Sequence, residues 1–417
     1  MIPQSLTGMR DLLPEDSARV RALGDAFADH FGLAGYGQVS TPVLESLEVF
    51  LRVGEGTDVV TKEMYVFTDR DGSEVALRPE TTASVARAFL QHHPLPPWKV
   101  WYFSQHFRHE RPQKGRLRQH HQLGAEVIGS PDPDVDVEVI VGLWDFYTRV
   151  LGLSQIRLEL NSIGEPASRV AYAELLTDFL RGVADQLDET DAAKIDSHPL
   201  RVLDTKVAAS RAAIEDAPRF ADSMSADAVA HFDRVQAGLR AAGVPYEVNE
   251  RLVRGLDYYT HTVFEVVSDA IDASQSTIGG GGRYDGLIEA MGGDPTPGIG
   301  FGSGVERMLL ACDAEGVFPA PVAATDCFVV NFGGDGSDVR DLCLELQRAG
   351  ISAQRAYDGR SAKAQMKAAD RARARFAILS GDDERAAGTV TVRDFSGDGQ
   401  QSSVARTDLI EHLRTLL

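Results

Sequence analysis

The sequence predicts an α+β protein: a core built on an antiparallel sheet, a helical insertion within it, and a separate C-terminal α/β domain. Three observations predict this. From Gly35 to about Gly129, short β-like runs follow one another across turns rather than across helices, which favours antiparallel pairing over βαβ units. From about Pro166 to Gly243 the composition shifts to Ala, Leu, Asp, Glu and Arg at helical spacing. Beyond Pro319 and Pro321, strand-like and helix-like segments alternate to the end of the chain. The core is therefore read over residues 1–165 and 244–320, the insertion over 166–243 and the α/β domain over 325–417. A length of 417 residues accommodates this, since a domain averages roughly 150.

Each element has a local reason. Val20, Leu23, Phe27 and Phe31 keep helical spacing, so an amphipathic helix is expected from about Asp16 to Phe31. Met64–Thr68, Val75–Arg78, Val100–Arg108 and Leu117–Ile128 read as strands. Pro131-Asp132-Pro133-Asp134 then opens a helix over about Val135–Leu151, and Ile156–Leu160 is again a strand. After the insertion, strand character returns at Tyr246–Val248 and Val263–Val267, ahead of the glycine-dense stretch Gly279–Gly304, and Ser303–Ala311 reads as a helix. In the last domain, Asp326–Phe332, Ile351–Tyr357, Phe376–Ser380 and Gly388–Arg393 are expected strands. Ser337–Arg348, Ala362–Arg371 and a segment from about Thr407 are expected helices.

Composition narrows the function classes. There are 42 Lys+Arg against 62 Asp+Glu, a formal charge of −20, so the overall field repels polyanions and any nucleic-acid contact must be local. No apolar run approaches the roughly 18 residues of a membrane span, and no secretory signal is visible before Asp11, Glu15 and Asp16. Cys312, Cys327 and Cys343 form no C-x-x-C pair, which argues against a disulfide framework or zinc-thiolate site and suits a reducing cytoplasm.

Four segments carry chemistry. Between His92 and Gln122 six Lys/Arg face one acid, reversing the global sign. Arg108 and Glu110, two apart, would share a face of a strand, and Pro112–Gly115 has turn chemistry for a hairpin. Guanidinium forks fixed on a sheet suit phosphate oxygens, although a solvated basic hairpin has the same composition. Six of the eleven histidines also lie here, without H-E-x-x-H or accompanying thiolates, so no protein-bound metal is expected. In Arg254-Gly-Leu-Asp257-Tyr258-Tyr259 a glycine separates a cation from an acidic-aromatic cluster before an apolar strand; this is either a pocket rim or a structural ion pair. Gly279–Gly286 and Gly298–Arg307 match neither a P-loop nor G-x-G-x-x-G; their glycines permit close backbone approach to a ligand, or only tight turns. Arg78-Pro79-Glu80-Thr81-Thr82 can capture an ammonium group or cap a helix.

In this order the four segments resemble the histidyl-tRNA synthetase family of class II aminoacyl-tRNA synthetases, along essentially the whole chain. Thr41-Pro42 is similar to the end of the first class motif, Phe107–Glu126 to the second and Gly302–Arg307 to the third. Leu252–Tyr259 and Gly282–Gly286 resemble segments specific to the histidine enzyme, and Pro199–Asp204 matches as well. Two departures stand out: Thr81 where bacterial members commonly have glycine, and Ser104-Gln105-His106 in place of the more familiar residues before Phe107. Two relatives in function are disfavoured. A regulatory paralogue of ATP phosphoribosyltransferase typically lacks the last domain and the arginine segment, and a stress-signalling module would add kinase-type segments.

The resemblance implies a catalytic core, a helical insertion and an anticodon-binding domain. It implies attachment of L-histidine to tRNA(His) through histidyl-adenylate, with ATP and its Mg2+ as substrate. Arg108 and Arg254 would be catalytic at the α-phosphate, and Arg108, Glu110, Arg116 and Arg307 would hold ATP. Glu80, Thr81, Thr82, Gln122, Glu126, Arg254, Tyr258, Tyr259 and Tyr284 would bind histidine. Gln113, Lys363 and Lys367 would touch tRNA, the two lysines lying i,i+4 on one helix. A cytoplasmic homodimer joined near Pro42, with no membrane partner, completes the expectation.

Overall fold

The computed structural model describes residues 2–54, 59–203, 205, 207–252, 258–271, 276–321, 324–357, 359–395 and 399–417. The chain divides into two compact units, residues 1–320 and 321–417.

Eight strands form the central sheet of the first unit. Their spatial order is Gly37–Gln38, Trp98–Phe107, Gln119–Ile128, Gly298–Gly304, Thr277–Arg283, Thr260–Ser268, Ile156–Ser162 and Glu247–Val248. The inner six pair antiparallel throughout, and only the two short edge strands are parallel to their neighbours. This is the antiparallel core expected from the sequence. The hairpin partners register Trp98 with Ile128 and Phe107 with Gln119, leaving residues 108–118 as its loop. Arg108 and Glu110 therefore lie beyond the strand, not on it. Phe107 is the last ladder residue, and Glu110 N donates back to Arg108 O at 2.8 Å in a tight turn.

One face of this sheet is the core. Leu123, Ala125 and Val127 alternate inward with Ile299, Phe301 and Ile278 and meet the helix Pro14–Gly32 through Leu23, Phe27 and Phe31. Pro at the first helical position with Glu15 and Asp16 beside it starts that helix two residues before the apolar spacing suggested. The helix Pro133–Asp145 carries an Asp132 cap and continues into a π-helical turn, Phe146–Val150. Between residues 166 and 241 the described regular elements are helices, with Pro166–Gly182 and Ala226–Ala241 the longest, and Tyr172, Leu176, Leu180 and Phe220 form a small core of their own.

The glycine-dense stretch differs from its sequence reading: Thr277–Arg283 and Gly298–Gly304 are adjacent central strands, and the helix begins only at Val305. Glycine disfavours strands, but here no side chain fits. A Cβ on Gly281 would lie 2.0 Å from Gly300 O, and one on Gly300 only 1.6 Å from Glu126 Oε2.

In the second unit the sheet order is Ala353–Arg355, Cys327–Asn331, Phe376–Ser380, Thr389–Asp394 and Gln401–Ala405, the first three parallel and the rest antiparallel. Helices Ser337–Arg348 and Ala362–Arg371 fall where helical spacing placed them. Among the described residues no helix is long and apolar enough to cross a membrane.

Candidate active site

The face of the sheet opposite the core carries the site. Gln122 and Glu126 sit on one strand at even spacing, opposite Gly304 and Gly300, and Gly282 lies across from Gly300. The glycines leave a bare floor beneath the polar side chains. Against it lies a cavity of about 760 Å³ lined by Arg108, Glu110, Arg116, His120, Gln122, Glu265, Thr277, Gly280, Gly302 and Arg307, among others.

Three predicted arginines converge there. Arg307, on the first turn of the helix Val305–Glu315, donates to Gly115 O at 3.1 Å and Thr277 O at 3.0 Å. Arg108 donates to Pro79 O at 2.8 Å, and Arg116 forms an ion pair with Glu110. Burial lowers the pKa of Arg307, and repulsion from Arg116 and then Arg108 lowers it further. Burial likewise lowers that of Arg108, opposed by Glu63 and Glu80. Guanidinium groups remain charged under such shifts, so the three present positive charge to the cavity.

Beside this cavity is a buried carboxyl cluster. Glu126 is 1% exposed and accepts from Tyr284 Oη at 2.6 Å and Thr82 Oγ1 at 2.7 Å. Burial pushes its pKa up to about 8 against the effect of those two donors. Tyr258 packs edge-on against Tyr284 at 5.9 Å and beside Tyr259 at 4.7 Å. Glu80, also buried, accepts from Ala83 N at 2.8 Å and so caps the helix Thr82–His92; burial raises its pKa. Capping and the carboxylate's place beside the cluster are compatible readings of one residue. Thr82 and Thr81 part company: the first reaches Glu126, whereas the second is bonded to Ser104 and His106. Arg254 lies outside the described residues.

The remaining histidines of the basic segment are dispersed: His120 lines the cavity, His121 Nδ1 meets Glu306 at 2.9 Å, and His109 packs on Tyr65. Among the described residues no group of His, Cys, Asp or Glu is arranged to hold a metal ion. Gln113 sits exposed in the hairpin loop, bridged to Arg116. In the second unit Lys363 and Lys367 are exposed on one helix face while Gln365 and Ala369 are buried.

Sequence reasoning missed the support under Tyr284. Arg283 is fully buried and bonds Asp136, with further donation to Ser130 O at 3.0 Å and Asp132 O at 3.2 Å. His231 Nε2 meets the same Asp136 at 3.2 Å. Burial alone would raise Asp136, but hydrogen bonds from His231 and Arg283 hold it below the usual carboxylate range. Such partners, 147 residues apart, leave no spacing signal. Arg78 is equally structural, donating to Thr41 O at 2.8 Å and Gln105 O at 2.8 Å.

An antiparallel sheet with a glycine floor, convergent arginines and a separate α/β unit defines the class II aminoacyl-tRNA synthetase fold. A family profile described as histidyl-tRNA synthetase matches residues 8–308, and one described as an anticodon binding domain matches residues 326–416. The histidine–tRNA ligase of Parasynechococcus marenigrum is 45% identical over 99% of both chains, and that of Halorhodospira halophila 44% identical over 99% of this chain and 98% of its own. The crystal structure of apo histidyl-tRNA synthetase from S. aureus superposes with a TM-score of 0.83 at 33% identity, covering 99% of this chain and all of the other. The chain belongs to the histidyl-tRNA synthetase family.

Proposed function

We propose that this enzyme attaches L-histidine to tRNA(His) in two displacements, with the residues above in defined roles. A carboxylate oxygen of histidine attacks the α-phosphorus of ATP, the bond to the bridging oxygen breaks, and pyrophosphate leaves with its Mg2+. The terminal adenosine hydroxyl of the tRNA then attacks the acyl carbon of histidyl-adenylate and AMP departs. Neither step requires the protein to supply a nucleophile. It must align reactants and neutralise charge where it develops.

Arg108 meets the α-phosphate together with Arg254. Arg116 and Arg307 face the outer phosphates and adenine, and Glu110 accepts from the adenine amino group. The ammonium end of histidine lies toward Glu80, Thr82 and Gln122. Its imidazole meets Glu126, Tyr258, Tyr259 and Tyr284. An amino acid without a ring N–H denies the buried Glu126 carboxyl the further donor that imidazole brings, and a site built for such a bond discriminates by about 10⁴. Thr81 supports this subsite from beneath. Residues 166–243 form an insertion in the core, residues 325–417 read the anticodon with Lys363 and Lys367, and Gln113 contacts tRNA beside the cavity. The active form is a cytoplasmic homodimer joined near Pro42.

The observation that supports the chemistry best is the convergence of Arg108, Arg116 and Arg307 on a glycine-floored cavity beside Glu126. ATP–pyrophosphate exchange with each of the twenty amino acids tests it. Exchange should depend on histidine alone. Exchange driven by another amino acid, or by none, overturns the reading.

A further inference from the structure

The turn that carries Glu80 and Thr82 has a buried underside which the reaction scheme leaves unused. There Thr81 Oγ1 lies 2.6 Å from His106 Nε2 and 2.7 Å from Ser104 Oγ, and Ser104 Oγ lies 3.1 Å from the same ring nitrogen. The three atoms close a triangle. All three residues are buried, His106 completely. Ser104 and His106 are two apart on the strand Trp98–Phe107 and so share its face, while Thr81 stands at the start of the helix Thr82–His92. The triangle thus pins a helix start to a central strand.

The chemistry of the triangle is one-directional. His106 Nδ1 is buried without a partner among the described residues, and the ring meets His120 edge-on at 5.5 Å. Burial, then repulsion from His120, Arg108, Arg78 and His121, keeps His106 neutral. A neutral ring with its proton on Nε2 donates to Thr81 and leaves only a lone pair unpaired at Nδ1. The other tautomer would strand an N–H, the costlier outcome. The Thr81 hydroxyl can then donate its own hydrogen bond to Ser104 Oγ. In this arrangement the ring and the Thr81 hydroxyl both donate within the triangle, and these buried bonds tie the three side chains together.

The same positions are those at which the sequence departs from the familiar family pattern, Thr81 on one side and the Ser104-Gln105-His106 run on the other. In this chain the two departures meet: the hydroxyl at 81 contacts the hydroxyl of Ser104 and the imidazole of His106. Arg108 Nε to Pro79 O at 2.8 Å and Phe107 N to Arg78 O at 3.1 Å tie the chain down before the turn, and the triangle ties it down within the turn.

We propose that Thr81, Ser104 and His106 are positioning residues for the amino-acid subsite, locking the turn so that Glu80 and Thr82 are preset for the ammonium end of histidine. This rests on the assignment of Glu80 and Thr82 given above. None of the three lines the arginine cavity.

Thr81→Val keeps the branched shape and deletes the hydroxyl, and Thr81→Ser keeps the hydroxyl. In histidine-dependent pyrophosphate exchange, Thr81→Val should raise the KM for histidine about tenfold, the order of one lost buried hydrogen bond, and leave the KM for ATP within twofold. Thr81→Ser should stay within twofold of the parent in both. A histidine KM unchanged in Thr81→Val, or both KM values rising together, overturns the positioning role while leaving the enzyme's activity as read. A parent without histidine-dependent exchange overturns the subsite assignment and this role with it. Thr81→Val combined with Ser104→Ala should cost no more than the larger single change, because either one breaks the triangle. A product of the two effects contradicts it.

Discussion

Glu126→Gln gives the sharpest test of how the amino-acid subsite is built. In the folded protein burial pushes the Glu126 carboxyl from an ordinary 4.5 to about 8. That difference corresponds to roughly 5 kcal/mol of ionisation cost, of which about 4 kcal/mol is felt between pH 5 and pH 9. The folded pKa is the raised one. Between 4.5 and about 8 the folded protein holds a proton that the unfolded chain has released, so stability falls as pH rises through this window and levels above it. Glutamine cannot ionise and accepts from Tyr284 or Thr82 through its carbonyl oxygen. The variant should therefore gain on the parent by about 4 kcal/mol on going from pH 5 to pH 9, while losing histidine binding. Other groups titrate alike in both proteins and largely cancel, and the repulsion from Glu80 is already part of the raised Glu126 pKa. Urea unfolding of both proteins at the two pH values measures the difference. A gap that is constant with pH, or that widens in the parent's favour, refutes the claim that this carboxyl is held at an energetic cost.

Three further outcomes follow from the same geometry. Arg254→Ala should cut histidine-dependent exchange by about 10²–10³, the usual loss of a charge-stabilising donor, with histidine binding by calorimetry retained; near-normal exchange removes its role. Gly300→Ala should lower exchange about 10²-fold, because a Cβ 1.6 Å from Glu126 Oε2 forces the carboxyl off Tyr284; steady-state kinetics with a normal histidine KM would contradict this. Deletion of the unit after residue 320 should spare exchange and sharply weaken tRNA charging; equal charging with and without it would deny that unit its anticodon role.

Much of the fold was legible because it is written in short-range pattern. Helix Pro14–Gly32 follows its apolar spacing, and strands Trp98–Phe107 and Gln119–Ile128 follow their apolar and aromatic runs around a turn sequence. The two glycine strands were not legible as strands, since local propensity points the other way. Their conformation is dictated by Glu126, Gln122 and the neighbouring backbone, which are close only in space. Arg108 and Glu110 were recognisable as residue types, but the strand ends at Phe107 and the loop positions them, which spacing alone does not reveal.

The buried pairs were the least legible. Arg283 is isolated in sequence from Asp136 and His231, yet their bonds underlie the residue before Tyr284. Thr81 was read with Thr82 as one hydroxyl pair, and the helix start separates them, one toward Glu126 and one toward His106. In both cases the sequence carries the chemistry and only the tertiary contact assigns it.

The account's central claim is that fixed guanidinium groups receive a triphosphate beside a carboxyl that recognises imidazole. A crystal structure with histidine and a non-hydrolysable ATP analogue measures it directly. The imidazole should lie within hydrogen-bond distance of Glu126, with the phosphates against Arg108, Arg116 and Arg307. Imidazole bound away from Glu126, or phosphates clear of these three arginines, would contradict it.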